Sequence, residues 1–328
     1  MSALRAGLLG VGMMGRHHAR VLREVDGVEL VAIADPGGDP HGVAGDLRIL
    51  PDIDALIGEG IDIAVVAVPT QFHEDAALKL AAAGVHTLVE KPIAHSLEAG
   101  RRMTDAFAQA GLVGAVGHIE RFNPALQEMR RRLEAGDLGA VFQIATRRQG
   151  TFPARIADVG VAKDLASHDV DLTAWVAQSA YAHVFAQTTF KSGRAHEDMI
   201  AITGRLQSGV IVNHLVNWLS PMKERVTVVT GEKGAFVADT STGDLTFYAN
   251  GTIPLEWESV SSFRGVSEGD VTRYAFAKRE PLRVEHEAFR DAVRGLPSDV
   301  VTMEQGLATL AVVEGALESA GSGASVAL

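Results

Sequence analysis

The sequence predicts an α/β protein of two domains, a doubly wound parallel sheet followed by an α+β domain with an open, largely antiparallel sheet. Strands and helices alternate over the first 119 residues, and the strands are continuous apolar runs, as expected for parallel strands that helices cover on both faces. After Ile119 strand follows strand, and Ser208-Gly209 and Lys233-Gly234 mark turns between neighbours. We therefore expect domains at residues 1–119 and 120–328, and leave open whether the last helix packs back on the first domain.

The predicted elements follow from apolar periodicity and turn residues. In the first domain, strands are expected at residues 5–9, 29–34, 63–68, 86–89 and 113–117, and helices at 14–24, 53–57, 74–83 and 97–110. In the second, strands are expected at 141–147, 183–190, 199–207, 210–218, 225–230, 235–239 and 245–249, and helices at 124–135, 168–176, 285–294 and 303–320. The tail at 319–328, rich in Gly, Ala and Ser, is expected to fray.

A glycine motif lies between the first strand and the first helix. Gly10 would permit a tight turn, Gly12 would let backbone amides approach a pyrophosphate, and Gly15 would let the helix pack closely on the strand. The helix N-terminus at Met13 and Met14 would offer free N–H groups to the phosphates. This context predicts a Rossmann dinucleotide-binding domain, and a tight turn without a ligand is the alternative.

The second strand ends at Asp35, about 20 residues beyond the motif, where a dinucleotide site expects an acid. Its carboxylate would accept hydrogen bonds from ribose hydroxyls and repel a 2′-phosphate. Pro36, Gly37 and Gly38 follow without a basic residue, so NAD is favoured over NADP, although Arg48 could still approach. The alternative is that Asp35 only caps a turn before Pro36.

The composition excludes several classes of protein. The chain has 328 residues, a net charge of −11 and no cysteine. The negative charge argues against binding to nucleic acid or to anionic membranes, and the lack of cysteine excludes disulfides and thiolate chemistry. We find no apolar run of about 20 residues and no secretory signal, so we expect a cytoplasmic protein without a membrane span.

Two loops that follow strands of the first domain carry polar residues where ligands bind in open α/β sheets. Pro69, Thr70 and His73 follow the third strand, and Glu90 and Lys91 follow the fourth. The Lys91 ammonium would hold a substrate hydroxyl and stabilise negative charge as a hydride leaves. From spacing alone, a surface salt bridge between Glu90 and Lys91 is an equally good interpretation.

A second polar cluster contains Asp164 and His168, which are four residues apart and would share one face of a helix. Histidine is the commonest general base, and Asp164 would bind a second hydroxyl or orient the imidazole. A purely structural His168 at a helix N-terminus is the alternative. We expect Asp169 and Asp171 to complement the helix dipole, and we expect no metal site.

Together, the glycine motif, Asp35, the Glu90-Lys91-Pro92 tripeptide and the Asp164/His168 pair resemble the glucose–fructose oxidoreductase/inositol dehydrogenase (Gfo/Idh/MocA) family over nearly the whole chain. The resemblance implies that Lys91, Asp164 and His168 form the catalytic set of an NAD-dependent dehydrogenase acting on a CH–OH group, with histidine as the acid/base.

The same resemblance implies cofactor contacts from the loop that holds Pro69, Thr70 and His73, although Gln71 stands where the family more often has Asn. It also implies a homodimer or homotetramer formed through the sheet of the second domain. Residues 210–218 and 225–230 fit this expectation, because they are apolar on both alternations while helices can cover only one face.

Two segments around Arg121, Asn123 and Arg155 resemble the branch of the family that oxidises the 3-hydroxyl of UDP-N-acetylglucosamine. These three residues would then bind the substrate, since guanidinium groups pair bidentately with phosphate oxygens. Salt bridges of Arg121 and Arg155 between the domains are the alternative, and inositol or a free sugar is the alternative substrate. A sensor that binds NAD without turnover is the alternative of another class, although such proteins tend to lose the lysine or histidine that this chain keeps.

Overall fold

The computed structural model describes residues 2–153, 159–251 and 268–328. The chain divides into two compact units. The first unit comprises Met1–Ile119 and Glu280–Ala311, and the second comprises Glu120–Arg279 and Val312–Leu328.

The first unit contains a six-stranded parallel sheet with the strand order β3-β2-β1-β4-β5-β6. Its strands are β1 Leu4–Leu9, β2 Val28–Ala34, β3 Ile49–Leu50, β4 Ile63–Val66, β5 His86–Glu90 and β6 Gly114–Gly117. The order runs outward in both directions from β1 and β4, so the predicted doubly wound sheet is confirmed. The two-residue β3 was not predicted, because two residues are too short to show a period.

Helices cover this sheet: α1 Met13–Glu24, α2 Ile53–Gly58, α3 His73–Ala82 and α4 Leu97–Ala110. Local signals set several of their ends. The Asp52 carboxylate accepts from Ala55 N at the start of α2, and Ser96 caps α4 in the same way through Ala99 N. Helix α4 ends at Gly111, whose φ of 65° is the left-handed conformation that glycine adopts readily.

The second unit contains a nine-stranded sheet with the order β14-β13-β12-β11-β7-β10-β9-β8-β15. Its strands are β7 Val141–Thr151, β8 Tyr181–Thr189, β9 Met199–Leu206, β10 Ile211–Asn217, β11 Leu219–Gly231, β12 Gly234–Asp239, β13 Asp244–Asn250, β14 Glu268–Arg273 and β15 Val326–Ala327. Helices α5 Pro124–Glu134 and α6 Ser167–Ala177 belong to the same unit. Only the β7–β10 pair is parallel among the pairs described, which confirms a largely antiparallel sheet.

The two faces of this sheet differ. One face is buried in the apolar core of the unit with α5 and α6, through side chains such as Ile144, Val212 and Val229. The alternate positions form a shallow hollow of about 530 Å³ on the other face, lined in part by Phe185, Ala201, Leu215, Val226 and Val228. An apolar surface therefore lies open on the second unit.

Residues 280–311 group with the first unit, whereas the predicted division assigned everything after residue 119 to the second domain. Helix α7, Pro281–Val293, buries Leu282 against Val21 and Val25 of α1 and places Phe289 in the core of the first unit. The last helix, α8, spans Met303–Ser322. These contacts are distant in sequence, so periodicity detected the helices without indicating which domain they join.

The tail expected to fray is ordered instead. Ser319 is fully buried, and its hydroxyl donates to Ala324 O (2.6 Å) and accepts from Ala186 N (3.0 Å). Val326 pairs with Val184 at the sheet edge. Backbone pairing and one buried serine thus order a tail whose composition predicted disorder.

Candidate active site

The fold requires two of the three glycines in the glycine loop, but not the third. Gly10 has a φ of +97°, and a Cβ there would lie 2.6 Å from Ala67 O. A Cβ on Gly15 would lie 2.0 Å from Gly10 O, so α1 could not approach the loop. A Cβ on Gly12 would meet nothing within 4 Å. The open space over Gly12, at the N-terminus of α1, fits a cofactor phosphate held by backbone N–H groups.

Asp35 fastens this loop to the end of β2. Its Oδ2 accepts from Val11 N (2.9 Å) and its Oδ1 from Gly37 N (2.8 Å). The turn-capping alternative is therefore present in the structure. It is compatible with ribose binding, because each carboxylate oxygen has a second lone pair to offer.

His73 links the loops that follow β4 and β5. Its Nδ1 lies 3.0 Å from Pro92 O and its Nε2 lies 2.9 Å from Val68 O. Burial lowers the pKa of His73 below its ordinary value, although the two carbonyls act in the opposite sense. Both ring nitrogens face backbone, so His73 shapes the cofactor edge of the sheet without offering a ring nitrogen to the cofactor. Pro69 is exposed and Thr70 is half-buried beside it.

Glu90, the last residue of β5, turns its carboxylate into the first unit. Oε1 lies 2.8 Å from His18 Nε2, and Oε2 accepts from the backbone N–H of Lys91 (3.1 Å). His18 Nδ1 lies 2.8 Å from His286 Nε2 on α7. The Glu90 carboxylate is therefore in buried contact with His18, and the charge of Lys91 also acts on it. Lys91 is half-buried, and the Lys91–Pro92 peptide is cis.

Sequence reasoning missed His18 and His286. A signal was present for His18, because Gly15, His18, Ala19 and Leu22 form the buried face of α1. A histidine at an apolar position of an amphipathic helix indicates a buried partner. Its partner His286 lies 268 residues away, and no pattern within the sequence connects them.

In the second unit, Asp164 lies in a π-helical turn, Ala162–Ala166, that leads directly into α6. Asp164 is buried and His168, one turn on, is half-buried. Glu197 holds the start of the turn, since its Oε1 accepts from Ala162 N (2.9 Å) and its backbone oxygen from Val161 N (3.1 Å). Such widened turns are frequent at functional sites. Helical winding therefore begins before the predicted start at His168.

Asp169 and Asp171 have partners other than the helix dipole. Asp169 Oδ2 accepts from Arg148 Nε (2.8 Å), and Arg148 Nη1 donates to Glu120 (2.9 Å). Burial alone would lower the pKa of Arg148, but the charges of Asp169 and Glu120 raise it above its ordinary value. Asp169 does lie in the first turn of α6, where the dipole interpretation expects an acid, and buried arginines bind the carboxylates of both Asp169 and Asp171.

The predicted substrate residues have structural roles wherever they are described. Arg121 is buried and binds Asp171 through Nε and Nη2. Asn123 caps α5, with its Oδ1 accepting from Ala125 N and its amide donating to Thr240 O. Arg155 lies outside the described residues. Lys91 belongs to the first unit, and Asp164 and His168 belong to the second.

Two further observations concern only residues 2–153, 159–251 and 268–328. There, no group of three His, Cys, Asp or Glu side chains is arranged to hold a metal ion. None of the helices within the same ranges is both long and apolar enough to cross a bilayer.

A doubly wound sheet with a glycine loop and an acid at the end of β2 defines a dinucleotide-binding domain of the Rossmann type. Residues 4–118 match the oxidoreductase family model of Gfo/Idh/MocA proteins, described as an NAD-binding Rossmann fold. Residues 126–237 match the C-terminal domain model of the same family. The chain belongs to the Gfo/Idh/MocA oxidoreductase family, and NAD is its cofactor.

UDP-N-acetylglucosamine 3-dehydrogenase from Acidithiobacillus ferrooxidans is 35% identical over 176 residues, covering 53% of this chain and 54% of that protein. The NAD(+)-dependent scyllo-inositol 2-dehydrogenase of Bacillus subtilis is 32% identical over 183 residues, with the same two coverages. The chain thus spans about half the length of these curated relatives. The solved structure of the A. ferrooxidans enzyme GnnA matches with a TM-score of 0.84 at 26% identity, covering 98% of this chain and 99% of that one.

Proposed function

We propose that the protein is an NAD-dependent dehydrogenase that removes a hydride from a secondary hydroxyl-bearing carbon of a sugar or polyol. The observation that carries the proposal is the position of Lys91. It follows β5 directly, at the carboxyl end of the parallel sheet, where ligands bind in open α/β folds. The open space over Gly12, where a cofactor phosphate would fit, supports the same proposal.

Three residues carry the proposed chemistry. NAD, when bound, supplies the hydride acceptor. His168 takes the hydroxyl proton as the hydride leaves the same carbon, so the alcohol loses two electrons and two hydrogens and becomes a carbonyl. Lys91 donates a hydrogen bond to the reacting oxygen and stabilises its developing negative charge. Asp164 binds a neighbouring hydroxyl or orients the imidazole of His168.

For the substrate, we propose a nucleotide-linked hexose that is oxidised at its 3-hydroxyl. The support comes from the 35% identity to a UDP-N-acetylglucosamine 3-dehydrogenase and from the match to GnnA over nearly the whole chain. Arg121 and Asn123 no longer support this choice, because Asp171 binds Arg121, and the backbone of Ala125 and Thr240 binds Asn123.

Inositol is the second candidate substrate, and one structural observation favours it. The guanidinium of Arg121 is committed to a buried carboxylate, which removes one of the groups expected to hold a diphosphate. An uncharged polyol needs no such group. The 32% identity to scyllo-inositol 2-dehydrogenase agrees with this alternative.

A substrate panel tests the proposal. UDP-N-acetylglucosamine, N-acetylglucosamine, myo-inositol and scyllo-inositol are each incubated with the full chain and NAD, and reduced nicotinamide is followed by absorbance. A nucleotide-sugar enzyme should lose orders of magnitude in kcat/KM on the free sugar, because remote binding energy positions the reacting carbon. Faster turnover of an inositol would establish the second candidate. NAD binding without turnover of any alcohol would favour the sensor class.

We also propose that the protein forms a homodimer or homotetramer through the open face of the second unit's sheet. Phe185, Leu215, Val226 and Val228 give this face its apolar character. Light scattering on the wild type and on Leu215→Lys tests this. A charge on the face should yield monomers, whereas a wild type that is already monomeric would contradict the proposal.

A further inference from the structure

Three titratable side chains from three separate elements form one buried hydrogen-bonded chain in the first unit. His286 on α7 lies 2.8 Å from His18 on α1, and His18 lies 2.8 Å from Glu90 at the end of β5. Their exposed fractions are 2%, 0% and 8%. Burying polar groups is costly unless they are paired, so a chain of three at this depth needs an explanation.

The protonation states of Glu90 and His286 follow from their surroundings. Burial alone would raise the pKa of Glu90, but the hydrogen bond and charge of His18 and the charge of Lys91 lower it. Glu90 is therefore ionised and accepts from His18 Nε2–H. Burial and His18 lower the pKa of His286 well below its ordinary value, so His286 is neutral. The neutral His286 can donate from Nε2 to His18 Nδ1, which leaves His18 Nε2–H to donate to the Glu90 carboxylate.

The hydrogen-bonded chain of side chains ends on the backbone N–H of Lys91. Glu90 Oε2 accepts from the Lys91 N–H (3.1 Å), directly where that residue leaves β5. On the other side, a Cβ at Gly117 of β6 would lie 3.3 Å from Glu90 Cδ, so the carboxylate is closely confined. Its position is thus set by His18 on one side and by the β6 backbone on the other.

The middle residue of this hydrogen-bonded chain, His18, belongs to the cofactor helix. His18 lies six residues after Gly12, on the helix whose N-terminus opens toward the proposed phosphate site. His286 of α7 contacts the other ring nitrogen of His18. A single hydrogen-bonded path therefore runs from the phosphate-binding helix to the backbone of Lys91.

We propose that His18 and Glu90 are positioning residues that hold Lys91 in the orientation needed for hydride transfer, and that His286 is only the outer partner of His18. The inference rests on the proposed function, because it assigns Lys91 to the reacting oxygen. In a purely structural cluster, the packing of the His18 ring would matter most. In a positioning role, the hydrogen bond between His18 and Glu90 matters most.

A matched pair of variants separates these two roles. His18→Asn places an amide near the Nδ1 position and keeps the contact with His286, whereas His18→Gln reaches the Nε2 position and keeps the contact with Glu90. We expect His18→Asn to lower kcat about 10- to 100-fold with little change in the NAD dissociation constant, since small misplacements of reacting groups cost this much. His18→Gln should retain most of kcat. Equal losses in both variants, or none in either, would overturn the proposal.

Glu90→Gln provides a second test should either histidine variant fold poorly. It keeps the volume of the side chain and removes the charge that His18 binds. We expect a kcat loss similar to that of His18→Asn, again with NAD binding retained. Normal turnover by a folded Glu90→Gln would show that the chain does not act on Lys91.

A measurement without turnover keeps this inference distinguishable from the proposed function. The rate of Lys91 acetylation by an amine-reactive ester is followed by mass spectrometry, with Lys79 of α3 as an internal control. His18→Asn should change the labelling rate of Lys91 about threefold or more, since His18 no longer fixes the Glu90 carboxylate that binds the Lys91 N–H, and should leave Lys79 unchanged. His18→Gln should label as the wild type does. If no alcohol is oxidised, the proposed function fails, but the labelling comparison still tests the positioning role. Unchanged labelling of Lys91 in His18→Asn would refute the positioning role.

Discussion

Arg121 and Asp171 form a buried bidentate ion pair in the second unit. Nε lies 2.7 Å from Oδ2 and Nη2 lies 2.6 Å from Oδ1, and the side chains are 6% and 1% exposed. The planar guanidinium matches the carboxylate in this geometry. A residue that its sequence context assigned to a substrate therefore joins the segment before α5 to helix α6.

Loss of Arg121 should destabilise the protein. Arg121→Ala leaves the Asp171 carboxylate buried without its arginine, which costs about 3–5 kcal/mol, whereas Arg121→Met combined with Asp171→Leu should recover most of it. Urea unfolding of the three proteins gives the free energies. A fully stable Arg121→Ala with a raised KM for a nucleotide sugar would return Arg121 to the substrate site.

Two glycines of the cofactor loop should respond oppositely to alanine. Gly15→Ala should unfold at lower temperature, because its Cβ would lie 2.0 Å from Gly10 O. Gly12→Ala should melt as the wild type does but bind NAD at least about tenfold more weakly, since its Cβ fills the space meant for a phosphate. Thermal unfolding with and without NAD, and NAD titration, separate the two effects. Unchanged NAD affinity in Gly12→Ala would argue against a phosphate at that place.

Cofactor preference should depend on the charge of Asp35. We expect the wild type to prefer NAD, because the carboxylate repels a 2′-phosphate. Asp35→Asn removes the charge, keeps an acceptor for only one of the two loop amides, and should reduce the preference for NAD over NADP. Asp35→Ser with Pro36→Arg should shift the preference toward NADP. Dissociation constants for both cofactors, measured side by side, provide the check. Equal use of NADP by the wild type would refute this account.

Stability should fall on acidification through a buried histidine of the second unit. His214 lies 2.8 Å from both Thr146 Oγ1 and Tyr181 Oη, and burial lowers its pKa from 6.5 to about 3. Because the unfolded chain binds this proton first, the contribution is complete above pH 6.5 and is lost between pH 6.5 and 3, at up to about 1.4 kcal/mol per pH unit.

The matched variants for this test are His214→Phe and Tyr181→Phe. Denaturant unfolding from pH 6.5 to 4 should show a shallower pH slope in His214→Phe, which lacks the titrating group. Tyr181→Phe loses stability but keeps the histidine, and so should keep the slope. Parallel slopes in the wild type and His214→Phe would show that other groups cause the acid sensitivity.

The proposed catalytic residues should separate turnover from cofactor binding. Lys91→Ala and His168→Ala should each lower kcat by about 10² or more, the usual worth of acid–base assistance, with NAD binding unchanged. Asp164→Ala should raise KM as well. Steady-state kinetics with the best substrate of the panel, beside NAD titrations, measure both. Near-normal turnover in Lys91→Ala would remove Lys91 from the reaction.

Short-range patterns in the sequence determined the order of strands and helices, the glycine loop, the acid at the end of β2 and the lysine that follows β5. Each of these depends on residues close in the chain, where apolar period, turn chemistry and helix caps act directly. Asp35 illustrates this, because its place at the end of β2 was sufficient to predict that its carboxylate lies beside the glycine loop.

Tertiary structure alone decided which distant groups meet. It joined His18 to His286 across 268 residues, placed residues 280–311 in the first unit, and gave Arg121 to Asp171. A charged or polar residue carries no local mark of its partner, because burial makes pairing necessary without specifying which group provides it. The tail shows the same limit, since a buried Ser319 and one strand pairing override a composition typical of disorder.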